Sequence, residues 1–145
     1  MNYEITLEEK PSNEELNILR NGLAEYARSM FGETSVADVT FFVRDENGRI
    51  AGGVHGNYGS FGWMYVDTLW VSERLRGNDY GRRLMNLIED AALKNGCTQA
   101  YLNTFSFQAP EFYKKLGYTV FAELEDFPVG HSRVFLRKKL NSSIG

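Results

Sequence analysis

The stretch from Trp63 to Thr104 constrains the fold more than any other part of the chain. Trp63–Val71 is rich in aromatic and β-branched residues, which is typical of a strand. After a basic loop, the segment from about Tyr80 to Asn95 has apolar residues at helical spacing, namely Leu84, Leu87, Ile88 and Ala91. Cys97–Thr104 is a further strand-like run. A strand, a crossover helix and a strand predict two parallel neighbours in one sheet.

The remaining segments predict further strands and two more helices. The other predicted strands are Tyr3–Glu8, Val39–Arg44, Arg49–Asn57, Tyr118–Leu124 and Arg133–Leu140. Ser12 and Glu15 have the spacing of a capping box, so a helix should begin there; its apolar stripe is Leu16, Leu19, Leu23, Ala27 and Met30. Asn47-Gly48 favours a hairpin turn, and Ala109–Leu116 is a short helix.

Length and charge narrow the class of protein. The 145 residues suit one α/β domain, predicted at residues 1–140, with a disordered tail at 141–145. A net charge of -3 gives no basic footprint for nucleic acid. No signal peptide or membrane span is evident, and the single cysteine, Cys97, allows no disulfide framework and no cysteine-based metal site. We therefore expect a cytoplasmic protein without membrane, nucleic-acid or metal partners.

The loop Arg76–Arg83 is a candidate phosphate site. Unpaired amides at a helix N-terminus carry partial positive charge, and glycines allow close approach of an anion. Arg76, Arg82 and Arg83 add cationic donors. The alternative is a solvated basic helix start. The spacing matches neither a Walker loop nor a Rossmann fingerprint, although a nucleotide-binding module remains a rival interpretation.

This loop resembles the acyl-CoA-binding motif of the GNAT superfamily of N-acetyltransferases. The family motif is Gln/Arg-x-x-Gly-x-Gly/Ala, and Arg76 and Gly81 match its ends. Asp79 stands where the family usually has the middle glycine. A carboxylate there would repel pyrophosphate, so we expect the Asp79 side chain to turn away and to cap the helix.

A second segment, Gln108–Tyr118, is similar to the family's Ala-x-x-x-Tyr-x-x-x-Gly-Phe/Tyr signature. The matching residues are Ala109, Tyr113, Gly117 and Tyr118. Ser106 stands where the family often has asparagine. The two motifs occur in the family's order, and the order of predicted elements agrees over nearly the whole chain.

The resemblance implies an α/β (α+β) fold with a mixed, mostly antiparallel central sheet and flanking helices. The parallel fourth and fifth strands would splay apart, and acetyl-CoA would lie in the gap like an added strand. The expected coenzyme-binding residues are Leu69, Trp70, Val71, Arg76, Gly77, Asn78, Asp79, Tyr80, Gly81, Arg82, Ser106 and Tyr113. The amide of Leu69 would be the oxyanion donor.

Tyr113 and Asp67 are the catalytic candidates that the resemblance implies. Tyr113 would protonate the departing thiolate, since a phenol keeps its proton at neutral pH; the alternative is a packing aromatic. Asp67 is nearest to the glutamate that many members carry on the fourth strand, and strand alternation puts Asp67 on the face of Tyr65, opposite Met64, Val66 and Thr68. The alternative for Asp67 is a structural hydrogen-bond partner.

Other residues are weaker candidates for chemistry. Glu73, His55 and His131 could act as bases. The alternative for Glu73 is a solvent-exposed carboxylate, and the alternative for each histidine is a structural role. Cys97 suits core packing better than nucleophilic attack.

The acceptor site is predicted only in outline. The candidate lining residues are Tyr26, Phe31, His55, Tyr58, Trp63 and Tyr65, whose alternative role is core packing. Variable loops at Gly22–Asp38 and Asp126–His131 would shape the site. The implied reaction is direct acetyl transfer from acetyl-CoA to a primary amine of a small molecule or peptide. The alternative is a non-catalytic acyl-CoA-binding or regulatory module; a homodimer is the default expectation.

Overall fold

The computed structural model describes residues 2–141 and divides into two compact units, Met1–Thr34 and Ser35–Gly145. The tail predicted at 141–145 lies, beyond Asn141, outside the described residues. Between residues 2 and 141, no helix is long and apolar enough to span a membrane.

Residues 2–34 of the first unit contain one helix, α1, which spans Asn13–Phe31. Ser12 Oγ accepts from the Glu15 amide at 3.1 Å, and the Ser12 amide donates to Glu15 Oε1 at 2.9 Å. These two bonds satisfy amides that have no partner within the helix. The predicted capping box is therefore confirmed.

The strand predicted at Tyr3–Glu8 is wrong. Residues 2–8 have no regular secondary structure, and the side chains of Ile5 and Leu7 are exposed. Alternating apolar residues form a strand when one face is buried and a neighbouring strand takes up the backbone hydrogen bonds. The apolar side chains of this segment have no buried face.

Within its described residues, 35–141, the second unit contains a six-stranded sheet and two further α-helices, α2 (Tyr80–Lys94) and α3 (Pro110–Lys115). The strands are β1 (Val36–Arg44), β2 (Ile50–Gly59), β3 (Trp63–Val71), β4 (Gln99–Phe105), β5 (Thr119–Glu125) and β6 (Ser132–Lys139). Their order is β1-β2-β3-β4-β6-β5, and only β3 and β4 run parallel. The predicted mixed sheet is confirmed, with its parallel pair joined through α2.

One face of the sheet packs against α2 and α3 and forms the core of the second unit. The buried side chains of α2 are Leu84, Met85, Ile88, Glu89 and Ala92. They share a cluster with buried strand residues that include Val54, Met64, Leu102 and Leu136. We call this the helical face. Strand alternation places Tyr65, Tyr101, Asn103 and Arg133 on the opposite face, called here the second face.

A buried polar network lies within the helical face. Glu89 of α2 accepts from the Tyr118 hydroxyl at 2.9 Å and from Lys138 Nζ at 2.7 Å. Its side chain is largely inaccessible to solvent. Burial, followed by the negative charge of Glu89, raises the pKa of Tyr118 above its ordinary value. The network therefore links α2 to β6 and to the residue that precedes β5.

Candidate active site

The candidate site is a gap between β3 and β4. The two strands share only three register pairs, Trp63 with Gln99, Met64 with Ala100 and Tyr65 with Tyr101. Beyond them lies a cavity of about 220 Å³. Its lining residues are Val66, Asp67, Thr68, Leu69, Leu102, Asn103, Thr104, Gln108, Ala109 and Tyr113. The sheet is therefore open where β3 and β4 would otherwise continue to pair.

Asp67 forms a β-bulge at the wall of this cavity. His55 pairs with Thr68 and Gly56 with Val66, so Asp67 is the extra residue of β3. The bulge shifts the alternation, which moves Thr68 to the face of Tyr65. The expectation that Thr68 shares a face with Met64 and Val66 is therefore wrong. Asp67 is exposed at the cavity, where its Oδ2 accepts from the Thr68 hydroxyl at 3.1 Å.

The backbone of β3 presents polar groups to the gap. The Ser72 amide donates to Ala51 O of the β2 side at 2.8 Å. Because successive residues of a strand direct their backbone groups to opposite edges, Trp70 also faces β2, whereas Leu69 and Val71 face the gap. Of the three predicted backbone contacts, Leu69 and Val71 therefore have the required direction. Trp70 has the opposite direction.

The loop before α2 exposes backbone amides. The first helical bond runs from the Arg83 amide to Asp79 O at 3.1 Å, so the amides of Tyr80, Gly81 and Arg82 precede the bonded turns. Gly77 and Asp79 have φ of 82° and 71°, which gives the loop its sharp course. These amides and the helix dipole favour an anion at this end of α2.

Asp79 does not cap α2, so that part of the expectation is wrong. Its left-handed backbone differs from the extended conformation in which a capping side chain reaches the second or third amide. Both carboxylate oxygens instead accept from Arg82, from Nε at 2.8 Å and from a terminal nitrogen. These hydrogen bonds, with the charge of Arg82, lower the pKa of Asp79. Asp79 therefore binds the guanidinium of Arg82, a residue that was predicted to bind the coenzyme.

The other residues of the loop have local partners. Arg76 Nε donates to Val71 O at 3.4 Å, Asn78 Nδ2 donates to Leu75 O at 3.3 Å, and the Arg83 guanidinium lies over the Tyr80 ring. A Cβ on Gly81 would lie 3.1 Å from Cζ of Phe112 in α3. The missing side chain of Gly81 therefore serves the packing of α2 against α3.

Tyr113 of α3 both packs in the core and lines the cavity. Its ring lies edge-on to Phe112 and Tyr118, at 5.1 and 6.0 Å between centroids. Burial raises the pKa of Tyr113 to about 12. The phenol therefore keeps its proton at neutral pH. Tyr113 is a packing aromatic that also lines the cavity, and its role as a proton donor stays a prediction.

Ser106 holds the loop after β4 and does not line the cavity. Its Oγ accepts from the Ser132 amide at 2.9 Å, and its amide donates to Ser132 O at 2.8 Å. Gln108 lies at the cavity instead, where its Oε1 accepts from the Thr104 hydroxyl and the Phe105 amide, both at 3.2 Å. Gln108 thus brings a side-chain amide to the cavity, which Ser106 does not line.

The second face carries other predicted residues. His55 Nδ1 lies 2.7 Å from Thr40 Oγ1, and the Tyr65 hydroxyl accepts from Asn103 Nδ2 at 2.9 Å. His131, in the loop between β5 and β6, packs edge-on against Phe107. His55 and His131 therefore both have structural contacts.

The remaining candidates belong to other elements. Tyr26 and Phe31 are on α1 in the first unit, and both side chains are exposed. Glu73 begins a one-turn 3-10 helix, Glu73–Leu75. Tyr58 packs against the core, and the Trp63 ring lies edge-on to Tyr101. Cys97 is buried, and burial raises the pKa of its thiol, as suits a packing residue.

The cavity residues Gln108 and Asn103 were missed by sequence reasoning. Gln108 directly precedes Ala109 of the second motif, so its position was available from the sequence. Asn103 lies two residues beyond Tyr101 in β4, on the same face. Neither residue is charged or stands at a matched motif position, so the sequence alone does not mark either as a site residue.

The residues at the gap fit an extended acyl-CoA arm. The backbone of Leu69 and Val71 offers strand-like hydrogen bonds, and the start of α2 offers amides for an anion. Tyr113 and Asp67 stand at the cavity between them. Such an arrangement is the one expected of an acyl-transfer enzyme that takes its acyl group from a coenzyme A thioester.

Comparisons with known proteins agree with this class. The family model for the acetyltransferase (GNAT) family matches residues 3–118, and the chain belongs to that family. It is 31% identical to an acetyltransferase of Agrobacterium fabrum over 121 residues, 83% of this chain and 88% of that one. It is 38% identical to the blasticidin-S acetyltransferase of Streptomyces morookaense over 96 residues, 66% and 70% of the two chains.

Solved structures show the same fold. The crystal structure of an acetyltransferase from Bacillus cereus has a TM-score of 0.84 and 38% identity, covering 93% of this chain and 98% of that one. The protein is therefore an acetyltransferase that uses acetyl-CoA.

Proposed function

We propose that this protein transfers an acetyl group from acetyl-CoA directly to a primary amine of a small molecule or peptide. The observation that carries the proposal is the cavity between β3 and β4, where Asp67, Leu69 and Tyr113 lie around one space. The coenzyme supplies the acetyl thioester, and the protein supplies position, donors and a proton.

Each of the three residues has a distinct task in this proposal. The Leu69 amide faces the gap and would donate to the acetyl carbonyl oxygen as negative charge develops there. Asp67, exposed at the bulge, would attract the amine and accept its proton. Tyr113 would donate its proton to the departing sulfur. No covalent enzyme intermediate is required.

The start of α2 would hold the pyrophosphate. Its first amides have no hydrogen-bond partner within the helix and can donate to the pyrophosphate oxygens. Arg76 and Arg83 add positive charge nearby. Arg82 would contribute less than the resemblance implies, because Asp79 engages it. We propose cytoplasmic turnover and a homodimer as the working assembly.

An amine panel with acetyl-CoA tests the proposal. Free thiol should appear only when an accepted amine is present, and mass spectrometry should find the acetyl group on that amine. Thermal shifts with acetyl-CoA and with ATP provide the control, since a nucleotide-binding module would respond to ATP. Stabilisation by acetyl-CoA without thiol release on any amine would favour the non-catalytic module and refute the enzyme.

A further inference from the structure

Arg133 of β6 lies on the second face among three aromatic rings. Its guanidinium carbon is 5.5 Å from the centroid of Phe105, 5.1 Å from that of Phe127 and 5.9 Å from that of Phe135. Arg133 Nε donates to Asn103 Oδ1 at 2.7 Å. Ring faces attract a cation and shield it from water, and they leave its hydrogen-bond donors, which lie in the guanidinium plane, at its edge.

Asn103 connects this cation to the candidate active site. It lines the cavity, and its two amide atoms are both engaged, with Oδ1 accepting from Arg133 and Nδ2 donating to Tyr65. Arg133 is therefore one hydrogen bond away from the wall of the cavity that faces Asp67 across the gap. The rings of Phe105 and Phe127 fix its position on that side.

Arg133 has no acidic partner within residues 2–141. The ion pairs there join Arg74 to Asp45, Arg82 to Asp79, Lys114 to Glu111 and Lys138 to Glu89. A half-buried cation without a counter-ion has lost part of its hydration, which a ligand anion can replace. A single guanidinium with a free edge matches a planar monoanion, the carboxylate, in a two-bond geometry.

We propose that the acceptor amine carries a carboxylate, which Arg133 binds while Asp67 takes the amine at the opposite wall. The preferred acceptors would be amino acids or compounds with an amino-acid-like end, rather than polycationic amines. This inference rests on the proposed acetyl transfer. It adds the substrate class and a specificity-determining residue.

The test compares acids with their own amides. Alanine and alaninamide, β-alanine and β-alaninamide, and lysine and lysinamide form matched pairs, with kcat/KM measured by thiol release at fixed acetyl-CoA. The acid should be preferred in at least one pair. Arg133→Gln should lower that acid-to-amide ratio by about 10- to 100-fold, the scale of a charge-assisted hydrogen-bonded pair. Arg133→Lys should lower it less.

Arg137→Gln is the matched control. Arg137 lies on the same strand and face, and its guanidinium also lies over an aromatic ring, that of Phe121, at 5.6 Å. This variant should keep the acid-to-amide ratio of the parent. Comparing ratios between variants cancels the different basicities of acids and amides, and a loss of fold lowers both members of a pair together.

The outcomes separate the two proposals. If no amine of either kind accepts acetyl, the proposed function fails and the acceptor class fails with it. If amines react but the parent prefers amides, or the ratio is the same in the parent and Arg133→Gln, only the carboxylate proposal is overturned. A ratio that falls in both Arg133 variants and not in Arg137→Gln supports it.

Discussion

Removal of the Tyr113 hydroxyl tests the proposed proton donor directly. The ring packs edge-on against Phe112 and Tyr118, and a phenylalanine ring can keep both contacts. Within residues 2–141 the hydroxyl has no hydrogen-bond partner, so Tyr113→Phe leaves no buried group newly unsatisfied. The variant should fold with a free energy of unfolding within about 0.5 kcal/mol of the parent.

The size of the kinetic effect follows from the environment of the phenol. A positioned acid contributes about 10²-fold or more to a proton-transfer step, which corresponds to about 2.7 kcal/mol of activation free energy. Burial raises the pKa of Tyr113 to about 12, which by itself makes the phenol a weaker acid. Burial also raises the pKa of a thiol formed in the same gap, which offsets part of the loss in the acidity of the phenol.

Single-turnover kinetics measure this effect without interference from product release. The acetyl-transfer rate of Tyr113→Phe should fall by about 10²-fold or more. The Kd for acetyl-CoA, measured by calorimetry, should stay close to that of the parent, because the backbone of Leu69 and the α2 start are unchanged. Equal single-turnover rates in parent and variant would refute the proton-donor role.

The pH dependence gives a second check. The protonated phenol is the donor, so its contribution is present below a pKa of about 12 and is lost as the pH rises through that value. The parent should therefore show no decline in kcat/KM up to about pH 10, and any fall at low pH reflects protonation of the amine or of the group that accepts its proton. An alkaline decline centred near pH 9 that Tyr113→Phe abolishes would contradict this reasoning.

Three further variants test other parts of the structure. Asp79→Gly should tighten acetyl-CoA binding about two- to fivefold at low salt, because it removes a carboxylate from the start of α2 and releases Arg82; calorimetry at two salt concentrations measures this. Gly56→Ala should cost about 3 kcal/mol of stability in urea unfolding, because its Cβ would lie 2.5 Å from Tyr65 O. Glu89→Gln should cost about 3 kcal/mol in the same assay, because it leaves a half-buried cation unpaired.

Each of these variants has a control or a contrary outcome. Gly22→Ala, with no atom within 4 Å of its Cβ, should stabilise the chain slightly and so calibrate Gly56→Ala. A double variant, Glu89→Leu with Lys138→Met, should be more stable than Glu89→Gln if the lone cation causes the loss. Weaker acetyl-CoA binding by folded Asp79→Gly would show that the carboxylate helps to hold the coenzyme.

The fold could be predicted from the sequence wherever the local hydrophobic pattern agrees with the pairing of strands in the sheet. The crossover through α2 requires a parallel pair, and β3 and β4 form it. The strand predicted at Tyr3–Glu8 is wrong because alternation records which side chains could share a face, whereas a strand also needs a buried side and a pairing neighbour.

The arrangement of the candidate site depends on a β-bulge and on side-chain positions that the sequence pattern does not predict. A one-residue bulge at Asp67 reverses the facing of every later residue in β3, including Thr68. Nothing in the composition of that strand marks the bulge. Gln108 and Asn103 are neutral amides whose importance appears only once the gap brings them to one cavity.

The three register pairs between β3 and β4 leave the sheet as two ribbons of three strands, β1–β3 and β4–β6–β5. Along the gap each ribbon ends in backbone groups that lack a strand partner. A coenzyme arm that forms hydrogen bonds to both edges would join the two ribbons. Coenzyme at 100 times its Kd would add about 2.7 kcal/mol to the free energy of unfolding. Amide hydrogens at Leu69 and Val71 should then exchange more slowly with solvent, so the lifetime of the native sheet would follow the supply of acetyl-CoA.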